Sequence, residues 1–159
     1  MPRRFVARRS PIHGNGVFAV DTIARGEEIV EYKGKLLTHA EADELYGDGG
    51  ETGPKFLFTL NDEYIIDANQ GGNSARWINH SCAPNCRAVV EENADGDRRR
   101  DKVVIEALRK IKPGEELTYD YGIVLDAPYT PRLKKLWQCL CGSPKCTGTL
   151  LKPKRPRAA

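Results

Sequence analysis

A chain of 159 residues, 40% of them hydrophobic, can bury one core but not several, so the expectation is a single domain with at most a small appendage. No apolar run reaches the roughly 18 residues needed to span a bilayer, and the opening MPRRFVARRS lacks the apolar centre of a signal peptide. A soluble protein of a reducing compartment is therefore expected, and its formal charge of +3 is uneven: the four arginines of residues 1–10 and the four Lys or Arg of 152–159 leave 17 basic against 22 acidic residues between them, a body that suits a cationic partner.

In chain order, HGNGVF (13–18) sets two glycines ahead of a first strand, GVFAV. Gly-x-Gly lets a backbone approach a ligand closely, yet a glycine turn at a strand start needs none, and the third glycine and following helix of a dinucleotide fingerprint are missing. EEIVEYKG (27–34) is the next strand. Thr38 and Glu41 form a capping box that opens a helix through AEADEL, with Gly47 as its stop and GDGGETGP (47–54) as the loop beyond. KFLFTL and EYIIDA are strands, NSARWI (73–78) is a short second helix, and RAVVEE, KVVIEAL and ELTYDYG complete a set of short β runs bounded by turn residues. This pattern predicts a mainly β fold of several small sheets rather than a βαβ alternation. IARGEEIV and IKPGEELTY share one form, a glycine turn feeding a strand, which is convergent turn chemistry rather than an internal repeat. After Gly122 the pattern loosens through IVLDAPYTPRLKKLW, read as a linker.

Chemistry concentrates in three places. RWINHSCAPNC (76–86) packs an arginine, two asparagines, a histidine and two cysteines into eleven residues. CLCGSPKC places Cys139, Cys141 and Cys146 around a Gly-Ser-Pro turn. Because five cysteines cannot all pair, and tetrahedral zinc wants thiolates converging in a tight loop, a metal is favoured over disulfides or free thiols. The fourth ligand must then be Cys82 or Cys86. YDY (119–121) sets two tyrosines on one face of a strand end, catalytic or a half-buried aromatic pair. Asn79 and His80 are polar groups that either bind a ligand or satisfy neighbouring backbone.

In this order HGNGVFA, EEIVEYKG, NSARWINHSCAPNC, GEELTYDYG and CLCGSPKCTGTL resemble the successive motifs of the SET-domain protein lysine methyltransferases with a post-SET zinc motif, over about residues 3–151. The resemblance implies a β-clip fold of small curved sheets, with a pseudoknot-like crossing of the C-terminal segment and a small zinc-bound appendage. It divides the chain into a SET domain (3–122), a linker (123–135), a post-SET zinc motif (136–151) and a basic tail (152–159). It also implies S-adenosylmethionine bound on one face, near Gly14, Asn15, Gly16, Arg76, Asn79, His80 and Trp137, with His80 toward the adenine, and a target lysine entering from the other. Tyr121 matches the catalytic tyrosine, Tyr119 the position that tunes product, and Tyr32 a hydroxyl near the lysine amine. Cys82 joins Cys139, Cys141 and Cys146 on zinc, which leaves Cys86 outside. The chain departs from the usual pattern at Asn15, Trp77 and Thr147, and it lacks a cysteine-rich pre-SET module.

The implied activity is methyl transfer to the side-chain amine of a lysine in a basic protein, a histone or histone-like one, giving mainly mono- or dimethyl-lysine. The alternative is a non-catalytic zinc-bound interaction module on the same fold. Direct nucleic-acid binding is disfavoured because the basic ends carry only one interleaved aromatic, Phe5, and no membrane association is expected. Compactness leans toward a bacterial source, with a cytoplasmic protein or one delivered to a host nucleus; a eukaryotic source would imply a nuclear one.

Overall fold

Residues 4–12, 14–46, 56–121, 129–141, 143–144 and 146–151 are described by a computed structural model. The expected helix stop Gly47, the 47–54 loop, the first part of the linker and the basic tail lie outside them. In chain order the strands are β1 (Phe5–Arg9), β2 (Asn15–Ala19), β3 (Glu28–Tyr32), β4 (Lys35–Thr38), β5 (Leu57–Thr59), β6 (Tyr64–Asp67), β7 (Asn79–His80), β8 (Cys86–Glu91), β9 (Lys102–Ala107) and β10 (Thr118–Tyr119). The helices are α1 (His39–Tyr46) and α2 (Pro131–Leu136), with 3₁₀ turns at Ser74–Trp77 and Arg98–Arg100.

The strands form four small sheets. β1 pairs antiparallel with β2, β9 lies between β3 and β8, β6 lies between β4 and β5, and β7 runs parallel to β10. β9 is the central strand because its side chains are wanted on both faces: Val103, Val104, Ile105 and Ala107 are all buried. With Val17, Ile23, Ile78, Ile111 and Leu117, which have no exposed surface, Val103, Ile105 and Ala107 form the main core. Each such fully buried branched side chain contributes about 1.5–3 kcal/mol over leaving it in water.

The two similar turns meet in that core. Ile23 and Ile111 exchange backbone hydrogen bonds of 2.9 Å each way, and from this bridge each chain enters a glycine turn, Ala24–Glu27 and Lys112–Glu115, closed by bonds of 3.1 Å. Gly26 (φ 80°) and Gly114 (φ 89°) supply the left-handed backbone that both turns require. The shared motif is thus two turns launched from one bridge.

The Thr38–Glu41 capping box forms reciprocally. Glu41 N donates to Thr38 Oγ1 and Thr38 N donates to Glu41 Oε1, both at 3.1 Å. The second helical stretch is a single 3₁₀ turn.

Several elements lie outside the expected set, among them β1, β4, β7 and α2. β1 turns part of the basic N-terminal stretch into a strand: Arg4 pairs with Glu27, and the Arg8 guanidinium stacks 4.1 Å over the Phe18 ring. β4 occupies the residues just before the capping box and pairs with β6. α2 lies in the stretch read as linker, where Thr130 Oγ1 caps Leu133 N at 3.1 Å and Pro131 fills the first helical position.

Candidate active site and metal centre

The parallel β7–β10 pair, only two residues long, brings RWINHSCAPNC against ELTYDYG. Asn79 lies opposite Thr118 and His80 opposite Tyr119. Two strands this short need side chains to hold them, and buried Asn85 does so. Its Oδ1 accepts from Thr118 N (2.9 Å), its Nδ2 donates to Glu116 O (2.8 Å), and its backbone N donates to Thr118 Oγ1 (3.3 Å). Ser81 N adds a bond to Tyr119 O at 3.3 Å.

This crossing brings the three expected tyrosines together. Tyr119 and Tyr121 have ring centroids 4.9 Å apart, and Phe58 of β5 bridges Tyr119 (6.2 Å) to Tyr32 (5.2 Å). Tyr121 OH donates to Ile78 O, which fixes its ring. Burial raises the pKa of all three phenols above the usual tyrosine value; the neighbouring phenols add to it at Tyr119 and Tyr121, and the Asp67 carboxylate adds to it at Tyr32. They are neutral hydroxyls at physiological pH, able to donate and accept hydrogen bonds but unfit to act as phenolate bases. Tyr32 also borders a cleft of about 340 Å³ lined by Glu31, Lys33, Arg99, Asp101 and Lys102. Neither Tyr119 nor Tyr121 lines it, so the phenols converge elsewhere.

The expected cofactor residues divide into exposed backbone and buried support. Gly14 and Asn15 are exposed, Gly14 with a positive φ of 47°, while Gly16 is buried. Asn79 reaches this turn, donating through Nδ2 to Asn15 O at 3.3 Å. His80 is buried: its Nδ1 accepts from Tyr121 N at 3.0 Å and its Nε2 lies 3.6 Å from Cys82 Sγ, so both ring nitrogens face protein groups. Arg76 lies with its guanidinium 4.5 Å over Trp77 and 5.9 Å over Phe56, where the planar cation stacks on aromatic faces. Trp137, at the C-terminal cap of α2, is 7% exposed and packs with Leu133, Leu150 and Leu151.

Sequence reasoning missed Glu116. Its carboxylate accepts from Ser10 Oγ at 2.8 Å on both oxygens and from Asn79 Nδ2 at 2.8 Å. A Cβ at Gly16 would stand 2.4 Å from its Oε2. The signal was the second glutamate of GEEL, hidden because acids are common after a glycine turn.

The four grouped cysteines converge. The Sγ atoms of Cys82, Cys139, Cys141 and Cys146 all lie within 4.8 Å of one another, with Cys82 to Cys139 at 3.9 Å. Four thiolates around one zinc at about 2.3 Å would stand about 3.8 Å apart, so the donor set and its span suit that ion. Cys139 N bonds to Gly148 O at 3.1 Å, Gln138 bridges Thr149, and Thr147 Oγ1 lies 3.8 Å from Cys82 Sγ. Burial and the neighbouring thiols push Cys139 up. At Cys141 burial acts the same way, but backbone N–H groups of Cys82 and Ser143 and the adjacent thiols outweigh it and bring the thiol down to about 6. Cys86 stands apart on β8 with no exposed surface, its thiol pushed up to about 12 by burial, an inert core residue. A second hydrophobic cluster, Leu133, Trp137, Cys139, Leu150 and Leu151, joins the metal-type site to Tyr121 and Tyr129.

Comparison with known proteins matches the SET domain family to residues 14–122. Among curated proteins the chain is 42% identical over 144 residues to a histone-lysine N-methyltransferase, H3 lysine-4 specific, of Schizosaccharomyces pombe, covering 89% of the chain and 14% of that protein. It is 40% identical over 151 residues to histone-lysine N-methyltransferase set1 of Dictyostelium discoideum, covering 93% of the chain and 9% of that protein. The chain thus spans a small part of these relatives. A solved structure of a humanized mutant of the Chaetomium thermophilum Polycomb Repressive Complex 2 superposes with a TM-score of 0.65 at 31% identity, over 77% of this chain and 15% of that one. Another, ctPRC2 bound to S-adenosylmethionine, gives 0.67 at 30% identity with the same coverages. These organisms are eukaryotes and lend no support to a bacterial source.

Proposed function

The chain belongs to the SET domain family, and we propose that it transfers a methyl group from S-adenosylmethionine to the side-chain amine of a histone lysine, with mono- and dimethyl-lysine as the main products. The observation that carries this reading is the convergence of three neutral phenols, Tyr32, Tyr119 and Tyr121, beside the β7–β10 crossing that also holds Asn79 against the exposed Gly14–Asn15 backbone.

S-adenosylmethionine, when bound, supplies a methyl group on a positively charged sulfur. What remains for the protein is position and protonation state. A lysine amine has an ordinary pKa near 10.4 and must be neutral to attack. Desolvation beside these aromatic rings disfavours its ammonium form, and the hydroxyls of Tyr32, Tyr119 and Tyr121 orient the lone pair along the line of displacement. Exposed backbone at Gly14 and Asn15, steadied by Asn79, offers the polar groups a small cofactor needs, with Gly16, Arg76, His80 and Trp137 supporting that wall. Cys82, Cys139, Cys141 and Cys146 hold one zinc ion whose role is structural, since four thiolates leave no open position.

We assign residues 3–122 to the SET domain, 123–135 to the connection, 136–151 to the zinc motif and 152–159 to a basic tail. A histone substrate puts the activity in a eukaryotic nucleus and fits the acidic body of the chain. The test is incubation with isotopically labelled S-adenosylmethionine and a panel of histones, followed by mass spectrometry, with lysine 4 of histone H3 as the first site to score. Labelled methyl-lysine in a histone is expected; cofactor binding without transfer to any protein would turn the reading into that of an interaction module.

A further inference from the structure

Gly14 precedes β2 and Gly16 lies within it, and only Gly14 has a backbone conformation that asks for glycine. The reason for Gly16 lies elsewhere: its missing side chain is the space taken by the Glu116 carboxylate, 2.4 Å from where a Cβ would stand, with Ser10 Cβ at 2.9 Å. Glu116 arrives there because its backbone bridges Phe18 antiparallel, which sends its side chain to the diagonal neighbour, residue 16. The carboxylate then accepts from two segments. Ser10 Oγ lies 2.8 Å from both oxygens and itself accepts from Ile12 N at 2.9 Å, while Ser10 N donates to Gly14 O at 2.7 Å, so Ser10 closes the turn that leads into Gly14. Asn79 Nδ2 lies 2.8 Å from Oε2 and also reaches Asn15 O at 3.3 Å.

One acid thus ties together the 10–16 turn, β7 and the strand leading to the tyrosines. We propose that Glu116 is the positioning residue of the cofactor wall: its carboxylate locks the Gly14–Gly16 backbone onto Asn79, and Gly16 is glycine to admit Glu116 rather than to admit the cofactor. This rests on the methyltransferase reading above. A carboxylate suits the task because both oxygens accept, whereas glutamine at the same place offers one acceptor and turns an N–H₂ toward a donor.

The experiment is calorimetric titration of S-adenosylmethionine into the native chain and variants, with steady-state kinetics and thermal melts beside it. Glu116→Ala is expected to weaken cofactor binding roughly tenfold, the scale of one lost hydrogen bond to a charged group. The KM for cofactor should rise with little change in kcat or in the KM for the lysine peptide, a split that general loosening of the fold would not give. Glu116→Gln, which keeps the shape, should fall between native and Glu116→Ala, and it decides the matter if Glu116→Ala does not fold. Gly16→Ala should weaken binding by itself, because its Cβ expels the carboxylate. In the Glu116→Ala background it should cost clearly less than in the native chain, since only the contact with Ser10 Cβ at 2.9 Å then remains. Additive losses would mean that Gly16 meets the cofactor directly and would overturn the proposal, as would unchanged binding in both Glu116 variants. Failure of the native chain to bind S-adenosylmethionine would instead overturn the methyltransferase reading.

Discussion

Tyr119 ends β10 and Tyr121 lies two residues on, with rings 4.9 Å apart, and their hydroxyls stand in different surroundings. Tyr121 OH is anchored on Ile78 O and its backbone N on His80, so its position is fixed from both ends. Tyr119 is packed between Phe58 and Tyr121, where its hydroxyl can hold one water against a lysine amine. Immobilising such a water costs only about 0–2 kcal/mol, so exchanging it for another methyl group is a finely balanced choice. Tyr119→Phe is therefore expected to move product toward trimethyl-lysine with activity retained, whereas Tyr121→Phe should lose roughly 100-fold through misplacement of the amine. Mass spectrometry of one peptide at long incubation reads both; equal loss in the two variants would show the roles wrongly divided. A pH profile follows from the same residues. Because burial holds all three phenols neutral, the group that gains reactivity as pH rises is the substrate amine, and rate should climb from pH 7 to about 9. The limb should keep its position in Tyr119→Phe; a limb displaced there would identify the phenol as the titrating base. Both tyrosines and the cysteines were legible because their types and spacing are rare together. Glu116 was not, because its partners Ser10 and Asn79 are 106 and 37 residues away and only the folded chain reveals them.

At the scale of elements, legibility followed apolar content. EEIVEYKG, EYIIDA, RAVVEE and KVVIEAL declare strands because they are rich in β-branched residues, and the capping box declares α1 by local hydrogen bonds alone. β1 was hidden by its arginines, whose stems and guanidinium planes cover the sheet, as Arg8 does over Phe18. α2, of six residues, is below the length at which periodicity speaks; its Thr130–Pro131 start was the readable sign. The β7–β10 pair is two residues on each side and is specified by Asn85 rather than by pattern. α2 packs with the segment that holds Cys139, Cys141 and Cys146. Their hydrophobic cluster is small, and a zinc ion on the four thiolates would hold it against Tyr121. Elemental analysis should find about one zinc per chain, lost in Cys139→Ser and kept in Cys86→Ser. Cys139→Ser should also lower activity, because the cluster that packs against Tyr121 then loosens. Cys86→Ser, which buries a hydroxyl in the core, should cost about 1–3 kcal/mol of stability with metal intact. Retention of zinc in Cys139→Ser would remove that thiol from the site.

The molecule as a whole is sensitive to acid through a buried carboxylate outside the site. Asp67, at the end of β6, has no exposed surface, and its carboxylate accepts from Tyr46 OH (2.7 Å), Asn69 N (2.9 Å), Asn69 Nδ2 (2.8 Å) and Gln70 Nε2 (2.9 Å). These bonds fasten α1 to the central sheet strand and shape the corner on which Gly34 rests, where a Cβ would stand 2.5 Å from Asp67 O. Burial by itself would raise the pKa of this carboxyl, but the donors from Tyr46, Gln70 and Asn69 outweigh it and hold the group below the usual carboxylate range. A pKa lowered by folding means that the unfolded chain takes up the proton first. The stabilisation is therefore complete at pH values above the unfolded value of about 3.9, and it is lost as pH falls through the lower folded value. Asp67→Asn keeps the shape but turns an N–H₂ toward donors, leaving at least one buried donor unmet at a cost of about 1–3 kcal/mol. At about 2–4 °C per kcal/mol for a chain of this size, the melting temperature at pH 7 should drop by several degrees. As pH is lowered past 4 the native chain gives up the same bonds, so the difference between native and variant should shrink. Thermal melts of both chains from pH 7 to pH 2.5 measure it. A gap that stays constant or widens toward acid would show that Asp67 is not ionised in the folded chain, and that the corner between α1 and β6 is held by packing alone.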